Sequence, residues 1–160
     1  MPSPLLSVNN LSVNFGGLKA LSHVSLTVDP GELIGIIGPN GAGKTTFFNS
    51  LTGLCKPTAG QIIFADRDLT NKSACFISRQ GVARTFQNIR LFKSLTVLDN
   101  LITACHQNIR YSFFDGIFKT RTYKREEQAA LETAQAMLEI VGLSEQAHEL
   151  AVSLPYGDQR

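Results

Sequence analysis

Cysteine is scarce here and badly spaced for cross-linking: Cys55, Cys75 and Cys105 are odd in number, far apart and include no C-x-x-C pair. That pattern excludes a disulfide scaffold and suits a reducing, cytosolic compartment. No apolar run approaches the roughly 18 residues that span a bilayer, and Met1 to Leu6 lacks the charged start and apolar stretch of a signal peptide. Any membrane association must therefore run through a partner or a surface. Charge of one sign is also in short supply, since a net charge of +2 is too small to demand a nucleic acid partner. Repeats and low-complexity tracts are absent. What remains is 43% hydrophobic and 18% charged residues over 160 positions, an ordinary globular composition with enough chain for a core.

The informative feature that is present is Gly38-Pro39-Asn40-Gly41-Ala42-Gly43-Lys44-Thr45, a match to G-x-x-x-x-G-K-[ST]. Before it, Leu33-Ile34-Gly35-Ile36-Ile37 reads as a strand buried on both faces of a parallel sheet, and Lys44 to Leu54 is helix-compatible. Strand, glycine-rich turn and helix form the setting in which successive main-chain N–H groups turn inward around phosphate oxygens. The helix start adds its positive dipole end. Lys44 is a compact charge for the β and γ phosphates, the Thr45 hydroxyl is placed for a bridging magnesium, and Thr46 offers one more donor. A nucleoside triphosphate with magnesium is the expected ligand.

Along the rest of the chain, Leu6 to Val8, Leu11 to Phe15 and Val24 to Val28 alternate apolar and polar residues, with turns at Gly16-Gly17 and Asp29-Pro30-Gly31. They are predicted to be antiparallel strands. Gln61 to Ala65 and Val82 to Phe86 are predicted as two more. From Leu95 the character becomes helical, with helices predicted over Thr96 to Cys105 and Arg125 to Val141. The second carries Leu131, Ala134, Leu138 and Val141 as one apolar stripe and Gly142 as its stop.

Phe15-Gly16-Gly17 with Ala20-Leu21, the loop Gly38 to Thr46, Arg84-Thr85-Phe86-Gln87-Asn88 and Leu154-Pro155-Tyr156-Gly157-Asp158-Gln159-Arg160 come in the order found in ATP-binding subunits of ABC transporters. The chain resembles in particular the subunit of bacterial branched-chain amino acid importers, through Gly81 to Phe92 above all. The resemblance implies an α/β P-loop NTPase fold of the ABC ATPase type. Its RecA-like core carries an antiparallel β-subdomain and a helical subdomain, with residues 1–93 supplying the β-subdomain and the front of the core, and 94–160 the helical subdomain up to the signature. The family's Asp-Glu strand, D-loop and switch histidine would follow Arg160, so the chain is expected to be the front part of a longer one, short of turnover and marginally stable alone. Catalytic residues are accordingly not assignable. Ile62 to Asp66 imitates the missing strand but continues with Arg67, and His23, His106 and His148 come too early for the switch.

By the same resemblance Phe15 stacks on adenine, Gln87 completes magnesium coordination with Thr45, and Leu154, Pro155, Tyr156, Gly157 and Asp158 cap the γ phosphate of ATP held by the opposite subunit. This chain departs from the signature at two places. Pro155 supplies neither a hydroxyl nor an N–H, and Asp158 brings negative charge toward phosphate. The implied partners are a second ATPase subunit, identical or not, transmembrane permease subunits and, indirectly, a periplasmic binding protein. No nucleic acid is expected, and the implied place is the cytoplasmic face of the bacterial inner membrane. The leading expectation is an energy-coupling ATPase. A nucleotide-binding module without hydrolysis and a soluble ABC protein outside transport remain as alternatives.

Arg110 to Arg125 interleaves Arg110, Lys119, Arg121, Lys124 and Arg125 with Tyr111, Phe113, Phe114, Phe118 and Tyr123. Such a stretch suits RNA stacking or an anionic membrane surface, but the expectation is an insert whose aromatics pack on its own helices.

Overall fold

The computed structural model describes residues 3–86, 90–106 and 111–159, in two compact units that meet in sequence between Arg84 and Thr85. This boundary comes earlier than the change of character read near residue 93.

In the first unit, β1 (Leu6–Phe15), β2 (Leu18–Val28), β3 (Ala59–Phe64) and β4 (Arg67–Asp68) form one antiparallel sheet in the order β2-β1-β3-β4. Val8, Leu11 and Val13 of β1 are buried. Val8 and Leu11 are three apart, which a regular strand would place on opposite faces. Irregular register between them, with Asn10 in the left-handed region, adds the extra residue that returns Leu11 to the core side. The donors displaced from the ladder are not orphaned: Asn10 N–H donates to Ser25 Oγ at 2.9 Å, and His23 N–H to Ser12 Oγ at 3.0 Å. The helices α1 (Lys44–Leu51) and α2 (Ala74–Arg79) add Phe47 and Ile77 to the same core as Ile62 and Leu69.

Two expectations are corrected. Leu33 to Gly38 is not a strand, and Leu33 and Ile37 are 97% and 98% exposed rather than buried on both faces. Val82 to Phe86 is not a strand either. A strand exists only where another main chain takes up its N–H and C=O groups, and among the described residues none lies alongside these segments. An exposed apolar run of this kind is an invitation to self-association. The double substitution Leu33→Lys, Ile37→Lys is expected to shift the sedimentation-velocity profile of the chain toward monomer. An unchanged profile would place the association surface elsewhere.

The second unit is helical: α3 (Val97–Cys105), α4 (Phe113–Phe118), α5 (Arg121–Val141) and α6 (Tyr156–Gln159), with 3-10 turns at Ser144–Gln146 and Ala151–Ser153. Thr96 caps α3, its side chain accepting from Asp99 N–H. α5 starts four residues before the sequence reading because Thr120 caps it, and it ends at Gly142 in the left-handed conformation, as expected. Ala134 and Leu138 are buried against Val97, Leu98, Ala147, Ala151 and Leu154, whereas Val141 is exposed and drops out of the stripe. The aromatics of the insert do not pack as expected. Tyr111 and Tyr123 meet edge to face at 5.0 Å, while Phe113, Phe114 and Phe118 are exposed.

The Tyr111 hydroxyl donates to Glu127 Oε1 at 2.6 Å, and that bond, followed by desolvation, pushes its pKa up to about 12. The folded chain thus holds the phenol proton more tightly than the unfolded chain, whose tyrosine titrates near 10. The stabilisation is complete below pH 10 and disappears as pH rises toward 12. Absorbance titration at alkaline pH should show a late-ionising tyrosine, and Tyr111→Phe should remove that transition. Persistence of the late transition in Tyr111→Phe would refute the assignment.

Candidate functional site

Residues 38–46 sit between the exposed Leu33 to Ile37 segment and α1, and their backbone is of a kind few side chains tolerate. Gly41 and Gly43 have φ of +84° and +85°. A Cβ at Gly43 would stand 2.5 Å from the Ala20 carbonyl oxygen and 2.7 Å from Leu21 Cδ2, so the loop is seated directly on β2. Around Gly41 the space is open. The two glycines therefore do different jobs: one permits packing below, the other keeps the opposite side clear.

The loop closes on itself through Ala42 N–H, which donates to the Pro39 carbonyl at 3.2 Å. Lys44 Nζ donates to the carbonyls of Gly38 and Pro39, the latter at 2.8 Å, and so lies across the turn. A cavity of about 190 Å³ beneath is lined by Leu21, Leu26, Ile36, Ala42, Gly43 and Phe47. Below the turn, Phe47 and Ser50 anchor α1, with Ser50 Oγ donating to the Thr46 carbonyl. The start of α1 is electrically open. Its N-cap is Gly43, no side chain caps it, and no carboxylate lies in its first turn. The amides of Lys44, Thr45 and Thr46 have no acceptor within the helix by construction, and the dipole adds positive potential there. Thr45 is exposed on this first turn and Thr46 is half-buried. The cradle that a Cβ would fill, the free amides and the ammonium fit a polyphosphate.

Phe15 ends β1, opposite Leu18, and is 53% exposed, so its ring is available to a flat ligand. Gln87 lies outside the described residues, and no group of three or more His, Cys, Asp or Glu side chains placed for a metal occurs among those described. Arg84 is a residue whose contacts the sequence pattern does not foretell. Its guanidinium donates to Asn49 Oδ1 of α1 at 2.7 Å, tying the segment that leads to Gln87 onto the helix that follows the loop. Asp66 is in a turn at the end of β3 and accepts from Ser3 Oγ, which removes it as a metal-holding strand end.

Leu154 to Asp158 belongs to the second unit. Leu154 is buried, Pro155 precedes α6, and Tyr156, Gly157 and Asp158 are exposed on its only turn. Gln159 Nε2 donates to the Leu154 carbonyl at 2.7 Å, closing that turn from within.

The profile of the family described as "ABC transporter" matches residues 21–160. The chain belongs to the ABC transporter family. Its relatives within that family include the high-affinity branched-chain amino acid transport ATP-binding protein LivG of Escherichia coli K12, 49% identical over all 160 residues. The corresponding protein BraF of Pseudomonas aeruginosa is 45% identical over the same length. This ABC transporter chain spans 63% of the length of each of those relatives. Among solved structures, an ATP-binding cassette of an ABC transporter in its ADP conformation superposes with a TM-score of 0.76 at 34% identity, covering 99% of this chain and 61% of the other. The antiparallel sheet with its glycine-rich turn and the helical unit are therefore the ABC ATPase fold read from the sequence. No helix among the described residues is long and apolar enough to cross a membrane.

Proposed function

We propose that this chain binds ATP with magnesium in the turn from Gly38 to Thr46 and serves as the energy-coupling part of an importer subunit for branched-chain amino acids. The observation that carries this reading is the pairing of a φ-positive glycine seat with an uncapped, carboxylate-free helix start at Lys44. Main-chain N–H groups of Gly41 and Gly43, joined by that of Ala42 once it exchanges the Pro39 carbonyl for the ligand, would surround the phosphates, flanked by Gly38, Pro39 and Asn40. Lys44 is held by two neutral carbonyl oxygens. An ammonium binds a charged phosphate oxygen more strongly than it binds a carbonyl, so the ligand outcompetes its resting partners. Thr45, with Gln87, would hold magnesium, which neutralises charge on the phosphate tail. The Phe15 ring would stack on adenine, a contact of about 1 to 3 kcal/mol.

The relatives are named as high-affinity branched-chain amino acid transport ATP-binding proteins, which supports the same assignment and the proposed solute class. A second ATPase subunit would meet Leu154, Pro155, Tyr156, Gly157 and Asp158 across its own ATP. Transmembrane permease subunits would receive the resulting movement, and a periplasmic binding protein would feed them, with this chain at the cytoplasmic face of the inner membrane. Calorimetric titration with ATP and magnesium tests the first step. Saturable binding at micromolar to low millimolar concentration is expected, and heat indistinguishable from dilution at millimolar ATP would sink the reading.

A further inference from the structure

The short helix α4 is built inside out. Phe113, Phe114, Ile117 and Phe118 occupy positions i, i+1, i+4 and i+5, which is one face of a helix. A face of that composition ordinarily turns inward. Here all four stay exposed, with Phe113, Phe114 and Phe118 at 78%, 68% and 75%, while Asp115 and Gly116 on the opposite side are half-buried. The small residue faces the packed side: a Cβ at Gly116 would stand 3.9 Å from the Tyr111 ring.

Polar bonds fix this orientation. Ser112 and Asp115 form a reciprocal capping box, in which Asp115 Oδ2 accepts from Ser112 N–H at 2.9 Å and from its hydroxyl at 2.8 Å. Asp115 Oδ1 accepts from Thr120 Oγ1 at 2.9 Å, and Thr120 in turn caps α5. These bonds, that from Ser112 N–H first, hold the Asp115 carboxyl below the usual carboxylate range. The aromatic face is thus displayed by a braced scaffold.

Cations adjoin it. Lys119, Arg121, Lys124 and Arg125 follow within one loop and two helical turns, all are exposed, and none is in an ion pair among the described residues. The neighbouring carboxylates are engaged elsewhere: Glu126 accepts from Tyr111 N–H at 3.1 Å and Glu127 from the Tyr111 hydroxyl. Large apolar side chains beside uncompensated cations match the layered chemistry of an anionic lipid surface, hydrocarbon below and phosphate above. RNA fits less well. Ile117 offers no plane for a base, and Phe113 and Phe114 meet edge to face at 74° rather than as parallel stacking slots.

We propose that α4 and the first turn of α5 form an interfacial anchor: Phe113, Phe114, Ile117 and Phe118 enter the acyl boundary of an anionic phospholipid bilayer, and Lys119, Arg121, Lys124 and Arg125 bind headgroup phosphates. This rests on the second unit alone, so loss of the nucleotide reading leaves it standing, and the reverse also holds.

Sedimentation of the 160-residue chain with phosphatidylglycerol-containing vesicles, against pure phosphatidylcholine vesicles, is the test. Preferential binding to the anionic vesicles is expected. It should fall about fivefold for each cation removed in Arg121→Gln and Lys124→Gln, and at least about tenfold in the double variant Phe114→Ser, Phe118→Ser. Because the chain has no tryptophan, Phe118→Trp supplies a unique reporter whose emission should shift to the blue on adding anionic vesicles. That readout does not depend on the serine variant folding. Equal sedimentation of wild type and serine variant, no preference for anionic lipid, or an unshifted tryptophan would each overturn the proposal. So would binding of polyuridylate, or of a detergent-solubilised protein, through the same phenylalanines without vesicle binding.

Discussion

Lys44→Ala is expected to weaken binding of ATP with magnesium by about 30- to 1,000-fold, the roughly 2 to 4 kcal/mol of a charged contact to phosphate in a partly desolvated site. The size follows from how Lys44 is held. Its Nζ already spans the Gly38 and Pro39 carbonyls, so the ammonium is positioned before a ligand arrives and little ordering remains to be done. Removing it also releases the carbonyls of the half-buried Gly38 and the exposed Pro39, neither of which is sealed from water, so their loss costs little by itself. The variant should therefore melt close to the parent while losing affinity, and calorimetry with a thermal melt separates the two. Parental affinity in the variant would place the triphosphate elsewhere.

The second large effect concerns stability. Gly43→Ala forces an L side chain to φ +85° and drives its Cβ to 2.5 Å from the Ala20 carbonyl oxygen, a main-chain atom of β2 that cannot step aside. Backbone strain of about 1 to 2 kcal/mol adds to an overpacking cost of about 1 to 3 kcal/mol. The sum is a large share of the stability of a small unit. Gly41→Ala is the matched control. It has nearly the same φ, +84°, with nothing within 4 Å, so only the strain should appear. Thermal denaturation followed by circular dichroism should place Gly41→Ala between the parent and Gly43→Ala. Equal losses for both would mean that the contact with β2 contributes nothing.

The parts legible in sequence are those whose cause is local. β1 and β2 announced themselves by alternation, β3 by a short apolar run after the Pro57 to Gly60 break, α3 by Thr96 and its apolar residues, and the end of α5 by Gly142. The phosphate turn was legible because glycine spacing encodes backbone shape directly. What resisted was relational. Leu33 to Gly38 has the composition of a buried strand, but composition does not provide the neighbouring main chain that a strand needs, and the segment stands exposed. Composition marked Arg110 to Arg125 as a stretch of aromatics and cations, but not the helix Phe113–Phe118 or which way its aromatic side points, because Ser112, Asp115 and Thr120 decide that through hydrogen bonds. The extra residue in β1 was equally silent, since it depends on two serine hydroxyls of the paired strands.

The Arg84 to Asn49 hydrogen bond joins positions 35 apart in sequence. The same guanidinium also donates to Thr52 Oγ1 at 3.4 Å, just past the end of that helix, so it grips two side chains rather than one. The last residue of the first unit is thereby fastened to the helix that the glycine turn launches, and whatever steadies that helix also steadies Arg84.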